Sequence, residues 1–159
     1  IHGCDATNRH FDVWKKHVST DYLYWINAPM NNNKTAKSFH KTELKLFIKL
    51  DKRLREINLG IFKGRPMPIY QRFFQKKEER FSKRPPGGES WNDLRKRLTG
   101  FFKELEKKYK NKKILIISHG DPLWLLFGII KGVRNKAEIL KMREDFYPQV
   151  GELKKLTKN

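Results

Sequence analysis

Residues 114–120 read Ile-Leu-Ile-Ile-Ser-His-Gly, so His119 stands where an aliphatic run gives way to a glycine. An imidazole with an ordinary pKa near 6.5 can attack, donate or accept at neutral pH. At the carboxyl end of a buried strand it would sit where open α/β sheets bind ligands, and the free N–H groups of a following helix attract phosphate. Gly120 would let the backbone approach such a ligand closely. The plainer alternative is a histidine that only hydrogen-bonds within a strand-to-helix turn. Asp121 reads as the start of that helix, and Glu89 as a loop carboxylate that partners the dipole of the next one. His10, His17 and His40 read as surface or packing residues, and their spacing with Cys4 makes no zinc motif.

The elements that must position His119 are legible from apolar spacing. Continuous rather than alternating apolarity at residues 114–117 indicates a strand covered on both faces, as in a parallel sheet. Upstream, Trp91, Leu94, Leu98, Phe101, Phe102, Leu105 and Tyr109 recur at three- and four-residue steps. This predicts a helix over 90–109, opened by Ser90 with Asp93 as a variant capping box. Residues 122–131 are almost wholly apolar and stop at Gly132, predicting a buried helix with Pro122 in its first turn and Trp124 and Phe127 in the core. Helix, strand, turn, helix is α/β grammar. Elsewhere the pattern suggests a helix over 35–44, a brief strand at 46–48, a helix over 69–81 after the Pro66 and Pro68 break, a loop at 84–88 and a short edge strand within 146–156. Residues 1–33 have no sustained period.

The chain has 159 residues, with 36 Lys and Arg against 17 Asp and Glu, a formal charge of +19. That length suits one domain, and 38% hydrophobic residues with 11 Phe and 4 Trp exclude a disordered basic tail. No apolar run approaches the roughly 20 residues that span a bilayer, and no signal-peptide pattern is seen, so a soluble protein without a membrane partner is expected. The lone Cys4 fits a reducing compartment, and the cytoplasm is the expected location. The charge admits nucleic acid as a partner. Yet the cations are dispersed and mixed with acids, as at Lys76-Lys77-Glu78-Glu79-Arg80, which reads as a solvated helix face.

Four stretches together resemble the histidine phosphatase, or phosphoglycerate-mutase-like, superfamily. Ser118-His119-Gly120 after its aliphatic run is similar to the family's second histidine motif. Residues 53–64, Arg-Leu-Arg-Glu-Ile-Asn-Leu-Gly-Ile-Phe-Lys-Gly, resemble its "LREI-x-LG" block, with Glu56 at the position of the proton donor. Pro86-Gly87-Gly88-Glu89-Ser90 resembles its "GGES" segment, and His2-Gly3 with Asn8 matches the spacing of "RHGE-x-x-x-N".

The resemblance implies a three-layer α/β/α sandwich around a mostly parallel sheet, as one domain over 1–159, with the first strand and helix missing or degenerate. It implies that His2 attacks phosphorus, His119 stabilises the transferring phosphoryl group and Glu56 protonates the departing oxygen, with Glu89 the runner-up donor and Asn8 and Gly120 binding substrate. No cofactor and no metal are implied, and the substrate is a phosphorylated small molecule. The chain departs from the pattern at Ile1 and Asn31, where the family has phosphate-binding arginines, and at Cys4, where it has an acid; Arg9 and Lys34 are the nearest substitutes. Only Ile1 precedes His2, so either the family's first strand lies outside this sequence or residues 1–33 are arranged differently. A phosphomonoester hydrolase is the leading expectation. A degenerate domain that binds a phosphorylated or nucleic-acid ligand without turnover is the alternative.

Overall fold

The aliphatic run folds as β2 (Ile114–Ser118), a strand of a three-stranded sheet in the computed structural model, which describes residues 23–27, 49–110, 112 and 114–156. Its neighbour is β1 (Leu23–Asn27), which runs parallel to it in a register from Leu23 opposite Ile114 to Asn27 opposite Ser118. On the far side of β1 lies β3 (Leu153–Leu156), antiparallel to it, so the strand expected within 146–156 is an edge of the described sheet. One parallel and one antiparallel pairing make this sheet mixed.

Four α-helices complete the described architecture, which is α/β: α1 (Met67–Arg72), α2 (Trp91–Lys108), α3 (Gly120–Ile130) and α4 (Lys136–Phe146). The helix expected over 90–109 forms as α2, with Ser90 and Asp93 exchanging the two bonds of a capping box. The predicted apolar stripe is its buried face, from Trp91 through Leu94 and Leu98 to Phe101 and Phe102. Because α3 is apolar on nearly every side it is buried almost throughout, and Gly132 closes it at φ +70°. Trp124 is fully buried, whereas Phe127 is half-buried and stacks on Phe146 with ring centroids 3.7 Å apart.

One core joins these helices to the sheet. Ile116 of β2 meets Trp91 and Leu98 of α2, Leu123 and Leu126 of α3, and Ile139 of α4 within a single apolar cluster. At its centre Trp91 stands edge-on to Trp124 at 5.0 Å and to Phe81 at 5.1 Å. Such pairs stabilise beyond their area alone.

The continuous helix expected over 69–81 is absent. Instead α1 stops at Arg72, and a separate 3-10 turn spans Lys77–Phe81. The aromatic spacing that suggested one helix is used differently: Tyr70 and Phe74 pack with Phe62 in a satellite cluster, while Phe81 enters the main core. Lys83 Nζ donates to the Phe73 carbonyl at 2.8 Å, satisfying a group that a longer helix would have bonded internally. Apolar spacing also missed α4, whose N-cap Asn135 accepts from the Ala137 N–H at 2.8 Å. The helix expected over 35–44 and the strand at 46–48 lie outside the described residues.

Candidate active site

Where β2 ends, Ser118 Oγ donates to the Leu54 carbonyl at 2.5 Å. That bond ties Leu54, two residues before Glu56, to the strand residue just before His119. His119 is half-buried in an extended conformation at the N-cap of α3, and its side chain makes no capping bond. The imidazole is therefore not needed to begin the helix. Beside it, a Cβ on Gly120 would collide with the Tyr147 hydroxyl, so Tyr147 occupies the space that this glycine opens.

The loop that carries Glu56 is held by the "GGES" turn. Asn58 Nδ2 donates to the Gly87 carbonyl at 2.9 Å, the Glu89 N–H donates to the Asn58 carbonyl at 2.8 Å, and the Asn58 N–H donates to the Glu89 carboxylate at 2.9 Å. Gly60 makes this packing possible. It sits at φ +56°, and a Cβ there would run into the Pro86 carbonyl and lie 2.7 Å from the Gly88 nitrogen. Gly60→Ala is expected to cost about 2–3 kcal/mol, the sum of a left-handed backbone and a backbone clash. A denaturation midpoint equal to the parent's would contradict it.

Glu89, the runner-up donor, is held as a clamp. Its carboxylate accepts from Arg97 at 3.0 and 3.1 Å and from Arg55 at 3.0 Å. Burial alone would raise its pKa, but Arg97 and the Asn58 N–H outweigh that and hold it below the ordinary value. Arg97 also donates to the Arg53 and Glu56 carbonyls, so one buried guanidinium spans both motif segments.

Glu56 is in the opposite condition. Its half-buried carboxyl accepts one bond, from the Ile57 N–H at 2.8 Å. Desolvation, reinforced by the negative charge of Asp121, pushes its pKa up to about 7 against the opposing pull of the Ile57 N–H, Arg97 and Arg80. A carboxyl poised there can donate a proton at neutral pH and take one back.

Asp121 does far more than begin α3. It is 5% exposed and collects four partners from four parts of the chain. Trp91 Nε1 donates to it at 3.0 Å and the Tyr147 hydroxyl at 3.0 Å, while Arg80 and Arg143 approach at 3.3 and 3.6 Å. Arg80, expected on a solvated face, has its side chain only 11% exposed and lies over the Trp91 ring at 4.1 Å and the Tyr70 ring at 5.0 Å. Arg143 lies over Tyr147 at 4.2 Å. Sequence reasoning missed Arg80, Arg143 and Tyr147. A mixed-charge run conceals a buried arginine, although the aromatic residues around it were a usable hint of cation–π partners.

Among the described residues no three His, Cys, Asp or Glu side chains gather as a metal set. None of their helices is long and apolar enough to cross a membrane. His2, Asn8, Cys4, His10, His17 and His40 lie outside the described residues, as do Ile1, Arg9, Asn31 and Lys34. Of the expected set, His119, Gly120 and Glu56 are among the described residues; the Ser118–Leu54 bond joins their two segments, and Asp121, Arg97 and Arg80 act on the Glu56 carboxyl.

None of the curated proteins compared with the chain matches it. Among solved structures, YhfR of Bacillus stearothermophilus superposes with a TM-score of 0.64 at 19% identity, covering 96% of this chain and 75% of that one. The family model of the histidine phosphatase superfamily, branch 1, matches residues 33–142, a span that holds Glu56, Glu89, His119 and Asp121. The chain belongs to the histidine phosphatase superfamily.

Proposed function

We infer that the protein hydrolyses a phosphomonoester through a phosphohistidine, without a metal. The observation that carries this reading is Glu56, a carboxyl raised to about 7 two residues from Leu54, whose carbonyl is bonded to the strand residue before His119. In the proposed reaction a histidine nitrogen, that of His2 by family resemblance, forms a bond to phosphorus as the ester P–O bond breaks. Glu56 gives its proton to the leaving oxygen, and His119 stabilises charge on the transferring group. Water then attacks phosphorus and gives a proton to the Glu56 carboxylate. The P–N bond breaks and inorganic phosphate leaves. The same reading includes a three-layer α/β/α sandwich, in which the described sheet and helices would be part of the layers.

The test is hydrolysis of p-nitrophenyl phosphate with chelator present, followed across pH. Turnover is expected to persist, and kcat/KM to fall as pH rises above about 7, because the proton donor is then ionised. Glu56→Gln is expected to lower the rate roughly 100-fold and flatten that limb. Identical rates in parent and variant at every pH would sink the reading. The raised pKa also has a stability sign: the neutral form is favoured on folding, so its contribution is complete below about 4.5 and is lost as pH rises through about 7.

A second reading is favoured by Ile1 and Asn31, which stand where the family has arginines. The domain would then bind a phosphorylated or nucleic-acid ligand through its basic surface and release it unchanged. Binding without hydrolysis in the same assay would select it.

A further inference from the structure

We propose that Asp121, two residues after His119, is the positioning residue of this site, one buried carboxylate that holds Arg80 and Arg143 as paired cations. The inference rests on the phosphoryl-transfer reading above and extends it to residues outside the motifs. Asp121 lies two residues beyond His119, in the first turn of α3. Its partners come from the 3-10 turn before α2 (Arg80), from α2 itself (Trp91), from α4 (Arg143) and from the segment after α4 (Tyr147). The carboxylate is the one group that all four share.

The charge balance shows what this hub does. Arg80 and Arg143 contribute two positive charges against one negative from Asp121, leaving an excess of one beside the site. Each guanidinium also has a buried Nε–H without a hydrogen-bond partner, so neither is anchored from its inner edge. Stacking on Trp91, Tyr70 and Tyr147 fixes the planes of the two guanidinium groups, and Asp121 fixes how far along those rings they sit. A phosphoryl group gathers negative charge on its equatorial oxygens, and a preset cation in a water-poor site favours that charge. The groups that act on Glu56 are Asp121 from α3, Arg97 from α2 and Arg80 from the 3-10 turn. Asp121 and Arg80 act on it with opposite signs, so the hub sets the proton affinity of the donor as well as the local cation.

That opposition gives a signed test on the full chain. In protein labelled with ¹³C at glutamate carboxyls, the Glu56 titration midpoint is followed in the parent, Asp121→Asn and Arg80→Gln, with melting temperatures measured in parallel. Asp121→Asn keeps the size and an acceptor for the Trp91 indole but loses the charge, and is expected to lower the midpoint from about 7 toward the ordinary carboxylate range. Arg80→Gln is expected to raise it. Where phosphatase turnover is measurable, the alkaline limb of kcat/KM should move in the same two directions. Lower melting temperatures with an unmoved midpoint in both variants would reduce Asp121 to a structural residue and overturn the proposal. Opposite midpoint shifts in a protein without turnover would support it while refuting the hydrolase reading, so the two failures are distinguishable.

Discussion

His119→Ala is expected to cut phosphomonoester turnover by roughly 1,000-fold, the loss that follows when a preorganised donor to the developing transition-state charge is deleted. The fold should survive. The His119 side chain makes no capping bond to α3, and the Leu123 N–H donates to the His119 backbone carbonyl at 3.0 Å, a bond that trimming the side chain leaves intact. The strand end is held by Ser118 Oγ on the Leu54 carbonyl, one residue earlier. A variant with parental melting temperature and collapsed kcat would therefore isolate the imidazole's chemistry. Parental kcat in a folded variant would remove His119 from the mechanism and leave it as a turn residue.

The largest effect on stability is expected at Trp91. Trp91→Ala should cost about 3–5 kcal/mol, the range for deleting a fully buried large aromatic, which for a domain of this size is a large share of its total stability. Trp91 is 0% exposed and joins the aromatic core to the Asp121 cluster. Its ring packs edge-on against Phe81 and Trp124, its face carries the Arg80 guanidinium, and its indole N–H holds Asp121. Trp91→Phe separates these roles in part, because it keeps an aromatic ring in the core while losing the donor and the second ring of the indole. It should cost about 1–3 kcal/mol, the penalty for leaving a buried acceptor short of a partner. Urea denaturation of both variants checks the pair. A loss below about 1 kcal/mol for the alanine variant would mean that this core closes around the cavity far better than cores generally do.

What the sequence disclosed, and what it hid, divides by the range of the interactions. The buried helix α3 and strand β2 were legible because their apolar runs have no polar competitor, and α2 because its stripe and its Ser90–Asp93 cap agree. Glu56 and His119 could be named because each lies inside a contiguous motif. The link between their segments could not, since it is a bond between Ser118 and Leu54, 64 positions apart. Arg80 looked like one more surface cation, and only the approach of Trp91 and Asp121 from distant positions turns it inward. Tyr147 had no local signal at all, for its role is defined by the space above Gly120. The helix expected over 69–81 failed for a related reason: its aromatics satisfy a helical period, yet two separate apolar clusters compete for them.

The reciprocal bonds between Asn58 and the Gly87–Glu89 turn carry a consequence for how this molecule opens. Residues 56–59 and 86–90 each lack regular structure, and alone either would fray as an ordinary loop. Joined through Asn58, Glu89 and the Ile61 N–H on the Pro86 carbonyl, they share one opening free energy. The Glu56 loop thus borrows the rigidity of α2, which begins at Trp91 directly after the turn, and a lesion in either segment would be felt as loosening of both.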